Sequence, residues 1–290
     1  TALAAAEDGD ALTRDVFSGE IGWLAWRRPG WELARQLAAL VRRQPSLRGV
    51  ILANHGLVTW GESARACYEN TIATIAQAAD ALNVRLARKA AFGGRAVAQF
   101  EDEERRAKAS EVLSALRPMV SGPGGKTAHF VDSVQVLEFV CSKDLQRLAS
   151  IGTSCPDHFL RTKIRPLVIS PNLSRPEMVA AVETYRQDYL AYYERCRRPD
   201  SPPMRDANPV LVAMPGIGLA SFAKDKATAR VACEFFVNAI NVMRGAEAVS
   251  QYRGLPEQEA FDIEYWLLEE AKLKRMPPPL PLEGRIALIT

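Results

Sequence analysis

His55 is placed where a histidine can bind a metal ion. It lies between two short apolar runs, 50–53 and 57–60, which predict the strands of a hairpin, and Asn54 and Gly56 flank it and predict the turn. A turn histidine beside a glycine projects its imidazole without steric blockage, as a metal ligand requires. A zinc site uses three protein ligands, and the others do not lie close in sequence. We predict His55 as a metal ligand and keep open the alternative of a structural histidine.

A second polar segment, 153–165, is dense in groups that bind anions or move protons. Its candidates for substrate binding are Asp157, His158, Arg161, Lys163 and Arg165. The three cations recur at every second residue, so they would share one face if the segment were extended. Such a face suits a phosphate or a carboxylate. Two alternatives stay open: a solvated basic strand paired with nearby acids, and a structural hydrogen bond between Asp157 and His158.

The composition restricts the class of protein. The chain has 290 residues, 48% hydrophobic and 24% charged, which excludes a disordered or fibrous protein. It has no apolar run of about 18 residues, and its net charge of +3 comes from scattered residues, so neither a membrane span nor nucleic-acid binding is predicted. Five cysteines without a C-x-x-C pair argue against a disulfide scaffold and favour the cytoplasm.

The elements around His55 follow from hydrophobic periodicity. We predict strands at 21–26, 50–53 and 57–60, and helices at 31–43 and 64–88. Ser63 stands where it would cap the second helix. That helix has one apolar stripe, formed by Ile72, Ile75, Ala79, Leu82 and Leu86.

The rest of the chain also alternates helices and strands, after a Gly/Pro break at 121–125 that is the predicted domain boundary. The predicted helices are 101–116, 133–140, 143–150, one from the capping box Ser174–Glu177 onward, 225–250 and 256–274. The predicted strands are 166–170, 210–214 and 219–222. The tyrosines on the helix after Ser174 are expected in the core or in an interface.

Two stretches share one plan at a constant spacing of 162 residues. In each, a strand, a turn, a second strand and a capping residue lead into a long helix, and Ser63 corresponds to Asp225. Strand–turn–strand–helix is a common arrangement, so a duplicated module and a chance match are both open. His55 corresponds to Ile217, so a duplication would leave one copy able to hold a metal and the other unable.

The hairpin and the helix after it resemble a known family. The run Leu52–Gly61, followed by Cys67–Glu69, is similar to the class II aldolase/adducin domain over residues 20–90. In that family the histidine that matches His55 is one zinc ligand of a sugar-phosphate aldolase. The other two ligands come from a His-x-His pair, and this sequence contains none. The resemblance therefore implies that the remaining ligands and the catalytic carboxylate lie upstream of Thr1.

Three further stretches resemble the bifunctional rhamnulose-1-phosphate aldolase/alcohol dehydrogenase proteins. They are Gly152–Lys163, Phe222–Arg230 and Gly254–Asp262. In those proteins an aldolase-like region precedes a short-chain dehydrogenase, and Gly284–Thr290 resembles the first strand of such a dehydrogenase. The resemblance implies that this chain is an internal fragment, and that NAD would bind only to a dehydrogenase domain beyond it.

The resemblance also implies a division of the chain and a fold class. Residues 1–120 would be the C-terminal part of an aldolase/adducin-like domain, 126–276 a second aldolase-like region, and 277–290 a proline-rich linker with the first dehydrogenase strand. The expected fold is α/β, a class II aldolase-like layered fold with a mixed or mostly antiparallel sheet covered by helices. The hairpin at 50–60 argues against a purely parallel sheet.

The implied activity of the parent protein is zinc-dependent cleavage of rhamnulose 1-phosphate into dihydroxyacetone phosphate and lactaldehyde. Zinc would stabilise the enediolate as a Lewis acid, and a general base would remove the hydroxyl proton. A homo-oligomer acting on a small sugar phosphate, without nucleic-acid or membrane partners, is expected. Two alternatives stay open: the N-terminal region of a short-chain dehydrogenase, and a non-catalytic adducin-like oligomerisation module.

Overall fold

The computed structural model describes residues 1–122 and 124–275, together with positions 278 and 281. The chain forms two compact units. Unit 1 comprises Thr1–Gly93, Ser154–Pro156 and Asn241–Leu255, and unit 2 comprises Gly94–Thr153, Asp157–Ile240 and the segment from Pro256 onward. The predicted linker and terminal strand at 277–290 lie outside the described residues, apart from those two positions.

Unit 1 is built on a mixed three-stranded sheet. Its elements are α1 (Gly9–Phe17), β1 (Ile21–Leu24), α2 (Trp31–Arg43), β2 (Gly49–Leu52), β3 (Gly56–Thr59) and α3 (Ala64–Leu86). The strand order is β1-β2-β3, with β1 parallel and β3 antiparallel to β2. A crossover through α2 makes the first pair parallel, and the tight turn at 53–55 makes the second antiparallel.

Alternating side chains of this sheet pack on helices at both faces. Ile51 and Leu57 share an apolar cluster with Phe17 of α1. On the other face, Val50 and Val58 share a cluster with leucines of α2. Because successive strand residues point to opposite faces, these short apolar runs require helices on both sides. The prediction of an α/β fold with a mixed sheet covered by helices is confirmed.

The apolar stripe of α3 is only partly used in packing. Ile72 and Ile75 are 48% and 52% exposed, whereas Thr74 is buried and Ala78 packs against the α1 cluster. The face of α3 that packs on the sheet therefore consists of small residues next to the apolar stripe. Small side chains let α3 lie close to β3. Leu82 does join the cluster.

Unit 2 contains a four-stranded mixed sheet. Its first elements are α4 (Asp102–Val120), β4 (Thr127–Val131), α5 (Val134–Val140), α6 (Leu145–Ile151), α7 (Pro156–Thr162) and β5 (Leu167–Val168). The later ones are α8 (Arg175–Cys196), β6 (Leu211–Met214), β7 (Gly218–Ala223), α9 (Lys226–Val249, of which the part from Asn241 belongs to unit 1), α10 (Glu257–Glu264) and α11 (Leu267–Lys274). The strand order is β4-β7-β6-β5, with β5 parallel to β6 and the other pairs antiparallel.

One apolar core of unit 2 lies between its sheet and the helices α4 and α8. Val112 and Leu116 of α4 and Met178 and Val182 of α8 pack there against the strands. The chain breaks into its two units near Gly93, and the Gly/Pro segment at 121–125 lies inside unit 2, because α4 belongs to this core.

The C-terminal helix predicted at 256–274 is two helices. Both α10 and α11 lie within that range, and the helix breaks at Tyr265–Trp266. Glu264 and Tyr265 both bind the hydroxyl of Tyr189, at 2.5 and 2.7 Å. The break coincides with Tyr265, whose backbone leaves the helical conformation at φ of −106° and ψ of 26°. No helix within the described residues is long and apolar enough to cross a bilayer.

The two stretches that share one plan also share their geometry. Gly49 lies opposite Thr59 in β2–β3, and Leu211 lies opposite Ser221 in β6–β7, which is the same register displaced by 162 residues. The hydroxyl of Thr59 donates to the carbonyl of Cys67 at 3.5 Å, and the hydroxyl of Ser221 donates to the carbonyl of Ala229 at 2.5 Å. In both stretches the acceptor lies eight positions after the donor.

The helices that follow are capped in the same way. Ser63 accepts a hydrogen bond from the amide of Ala66 at 3.1 Å, and Asp225 accepts one from the amide of Thr228 at 2.7 Å. A chance match of strand–turn–strand–helix does not require equal registers, equal caps and an equal hydroxyl bond. We therefore interpret the two stretches as copies of one module.

Candidate functional site

His55 lies at the turn between β2 and β3, as the hairpin pattern predicts. Its amide donates to the carbonyl of Leu52 at 3.1 Å, which closes the turn. Asn54 before it has a left-handed backbone with φ of 54°, and Gly56 after it has a φ of 155°. These conformations suit asparagine and glycine. The ring of Trp26 lies 6.4 Å from the imidazole, measured between centroids.

One nitrogen of His55 has unused bonding capacity. Its Nδ1 atom is buried and has no hydrogen-bond partner among the described residues, as is also the case for Nδ1 of His129. A buried polar atom without a partner is uncommon, and a metal ion is one group that would satisfy it. Within the described residues, however, no group of three His, Cys, Asp or Glu side chains could hold a metal ion. His55 thus fits a single ligand position, and the described residues do not complete a zinc site.

The matching turn of unit 2 has the same backbone conformation but no metal-binding side chain. Gly216 and Gly218 take positive φ values of 78° and 151°, as Asn54 and Gly56 do. The residue between them is Ile217, and it is fully buried in the apolar core. Of the two copies of the module, the copy in unit 1 has a metal-binding side chain at its turn, and the copy in unit 2 does not.

The segment at 153–165 does not have the geometry from which substrate binding was predicted. A shared face of cations needed an extended chain, and residues Pro156–Thr162 form helix α7 instead. Lys163 follows with a left-handed φ of 60°. The expectation that the three cations share one face was wrong, because helical residues do not alternate as strand residues do. Asp157 and Arg161 are exposed, whereas His158 and Lys163 are buried.

His158 is held inside unit 2 as a neutral side chain. Its Nδ1 lies 2.7 Å from the hydroxyl of Thr153, and its ring meets Phe235 edge-on at 5.0 Å. Burial lowers the pKa of the imidazole to about 4. At neutral pH the ring is therefore uncharged, and its Nδ1 bonds to Thr153 rather than to Asp157, the partner that one open alternative gave it.

Lys163 fastens the proline-rich loop at 199–209. Its ammonium group donates to the carbonyls of Asp206 and Asn208, the latter at 2.8 Å. It also lies 3.9 Å above the ring of Tyr189. Burial lowers the pKa of this amine to about 8. A side chain engaged in this way holds a loop in place and is not available to a substrate.

A buried carboxyl group beside this lysine was not predicted from the sequence. Glu264 is 1% exposed, and it accepts hydrogen bonds from the hydroxyls of Tyr189 and Tyr192 at 2.5 and 3.2 Å. Burial raises the pKa of its carboxyl group. The tyrosines of α8 lie in the core, as predicted, but nothing in the sequence around Glu264 pairs it with them across about 70 residues.

The two arginines of the segment differ in their surroundings. Arg161 places its guanidinium 5.8 Å from the ring of Phe235. Arg165 is 36% exposed, and its nearest carboxylate, on Glu257, is 4.0 Å away. Its backbone carbonyl accepts a hydrogen bond from Tyr185 at 3.0 Å. Of the predicted substrate-binding residues, Arg165 thus combines a fixed backbone with a guanidinium that no carboxylate holds closely.

Comparison with known families assigns the chain. Residues 107–273, more than half of its length, match the family described as the second domain of class II aldolase. The chain belongs to the class II aldolase family. Residues 1–82 of the chain match the class II aldolase and adducin N-terminal domain, which includes the hairpin that carries His55.

One similar protein is the uncharacterized oxidoreductase YuxG of Bacillus subtilis (strain 168), which is 32% identical to this chain over 295 residues. The alignment covers 99% of the chain and 43% of YuxG, so the chain spans less than half the length of that relative. No solved structure matches the chain.

Proposed function

We propose that the protein is a class II aldolase-type lyase that cleaves a ketose 1-phosphate by a retro-aldol reaction. The observation that carries the proposal is the hairpin turn of His55, in a chain of the class II aldolase family, with a buried Nδ1 atom that has no partner within the part of the chain that the structure describes. The proposed role of His55 is that of one zinc ligand. The other ligands and the general base would come from outside the described residues.

The proposed substrate is rhamnulose 1-phosphate, with dihydroxyacetone phosphate and lactaldehyde as products. Support for it comes from the resemblance of three segments of the chain to rhamnulose-1-phosphate aldolase/alcohol dehydrogenase proteins. Cleavage leaves an enediolate, whose charge must be stabilised, and a phosphate, which needs positive or amide groups.

The test uses the protein in its natural length. Zinc content and cleavage of rhamnulose 1-phosphate are measured for the wild type, for His55→Ala, and for His129→Gln as a matched control. His129 lies on β4 of unit 2, far in sequence from the hairpin. We expect His55→Ala to lose both zinc and cleavage, by more than the roughly 10–100-fold that loss of an outer-shell partner of a metal ligand costs, and His129→Gln to retain both.

Two results would contradict the proposal. A zinc-loaded wild type that cleaves no ketose 1-phosphate would refute the aldolase activity. A His55→Ala protein that keeps its zinc at the wild-type level would refute the ligand role of His55 and leave the activity to be explained by other residues.

A second candidate is an oxidoreductase, because the relative YuxG carries that description. In this case the described units would form an appendage to a dehydrogenase domain, and NAD would bind to that domain. Steady-state assays of the natural-length protein with NAD and small alcohols distinguish the two. Turnover that is unaffected by His55→Ala would favour the oxidoreductase.

A further inference from the structure

A groove of about 390 Å³ runs along the open edge of the sheet in unit 2. Its walls are α6, the β5 segment and α8, and β5 is the last strand of the order β4-β7-β6-β5. The volume is in the range of small-molecule sites. Its polar lining residues are Gln146, Ser150, Arg165, Thr184, Tyr185 and Asp188.

The cation in this groove is free to bind an anion. The guanidinium of Arg165 makes no hydrogen bond within the described residues, and its nearest carboxylate, on Glu257, is 4.0 Å away. That carboxylate is already bound by both arms of Arg195, at 3.0 and 2.9 Å. A guanidinium fork matches the geometry of a phosphate or carboxylate. Arg165 therefore offers the groove an anion-binding group, because the carboxylate that would compete for it, on Glu257, is already bound to Arg195.

The neutral groups around Arg165 suit hydroxyls. Gln146 and Thr184 have no hydrogen-bond partner within the described residues, and they supply an amide and a hydroxyl to the groove. The strand edge adds a backbone group: the amide of Ile169 donates to Ala213 of β6 at 3.0 Å, so the amide of Val168, one residue earlier, points away from β6.

A single carboxylate in the groove restricts the ligand further. Asp188 on α8 makes no hydrogen bond within the described part of the chain. It would accept a hydrogen bond from a ligand hydroxyl, and it would repel a second anionic group. The groove thus favours one negative charge at Arg165 with hydroxyl groups elsewhere.

We propose that this groove binds a small organic phosphate or carboxylate that also carries hydroxyl groups. Arg165 binds the anionic group, and Gln146, Thr184 and Asp188 bind the hydroxyls. The proposal concerns unit 2 alone and does not use His55, so it stands or falls separately from aldol cleavage.

The test is calorimetric titration of the protein with glycerol 3-phosphate, inorganic phosphate and uncharged glycerol. Arg165→Gln removes the proposed anion-binding group, and Arg161→Gln is the matched control. The control changes the charge equally, four residues away, but Arg161 lies against Phe235 and does not line the groove. Thr184→Leu fills the groove without changing charge. Unfolding midpoints of the variants are compared with the wild type to verify folding.

We expect saturable binding of glycerol 3-phosphate that is tighter than that of inorganic phosphate, and no binding of glycerol. Arg165→Gln should weaken binding by about tenfold or more, as loss of a charge-assisted pair does, while Arg161→Gln stays near the wild type. Thr184→Leu should also weaken it. Equal effects of the two arginine variants, wild-type affinity in Thr184→Leu, or no saturable binding by the wild type would each overturn the proposal.

Discussion

Acid should destabilise the protein through His158. The side chain is 4% exposed, and burial lowers its pKa to about 4, whereas an unfolded histidine titrates near 6.5. At pH 5 the side chain of His158 is therefore largely protonated in the unfolded chain and neutral in the folded protein. Because the unfolded state binds more protons, stability is present above pH 6.5 and is lost as the pH falls toward 4.

The size of this loss follows from the two pKa values. Between pH 7 and pH 5 the difference in proton binding lowers the free energy of unfolding by about 2 kcal/mol for this one residue. Single domains have free energies of unfolding of about 5–15 kcal/mol, so the effect is well within measurement.

The assay is urea unfolding at pH 7 and pH 5 for the wild type and His158→Asn. Asparagine keeps a polar group near the hydroxyl of Thr153 and does not titrate. The variant should be less stable at pH 7, because it leaves space around Phe235, yet its loss between pH 7 and pH 5 should be about 2 kcal/mol smaller than that of the wild type. Burial also lowers the pKa of His129, but that residue is common to both proteins and cancels in the comparison.

Equal losses in the two proteins would refute this account of His158. A second variant, Thr153→Val, tests the cause of the shift. It removes the hydroxyl and keeps the imidazole buried, so it should retain the acid sensitivity of the wild type. If Thr153→Val removed that sensitivity, the hydrogen bond would set the pKa, and burial would not.

Two further predictions concern Lys163 and the cap of α9. Burial lowers the pKa of Lys163 to about 8, below its ordinary value, so the unfolded chain binds more protons above that pH and stability should rise between pH 7.5 and 9.5. Lys163→Met should remove this rise in urea unfolding. Asp225→Ala should lower the free energy of unfolding by about 1 kcal/mol, because the amide of Thr228 loses its acceptor. Asp225→Asn should cost less, and equal costs would contradict the capping role.

Local structure was the part of this protein that could be predicted from its sequence. The hairpin around His55, the cap at Ser63 and the capping box Ser174–Glu177 are all present. So is the plan that recurs 162 residues later. These features depend on residues within a few positions of one another, and turn, cap and periodicity rules describe such short-range interactions.

The segment after Gly152 shows where local rules stop. Its cations alternate as in a strand, yet Pro156 begins a helix, which is the position that proline favours. Whether His158 and Lys163 are exposed depends on Phe235, Tyr189 and the proline-rich loop. None of these lies within 25 residues of its partner in sequence, so the alternation could not reveal the burial.

The sequence by itself determined the hairpin, its turn and the histidine that the turn carries, whereas the equal registers of the two stretches came from the structure. The tertiary structure decided which polar residues are available to a ligand: it buried His158 and Lys163, joined Glu264 to Tyr189, and left Arg165 beside an open strand edge. The physical reason is the separation in sequence of the residues that interact. Turns and caps are set by neighbours along the chain, whereas burial, and with it charge and reactivity, is set by residues that only the fold brings together.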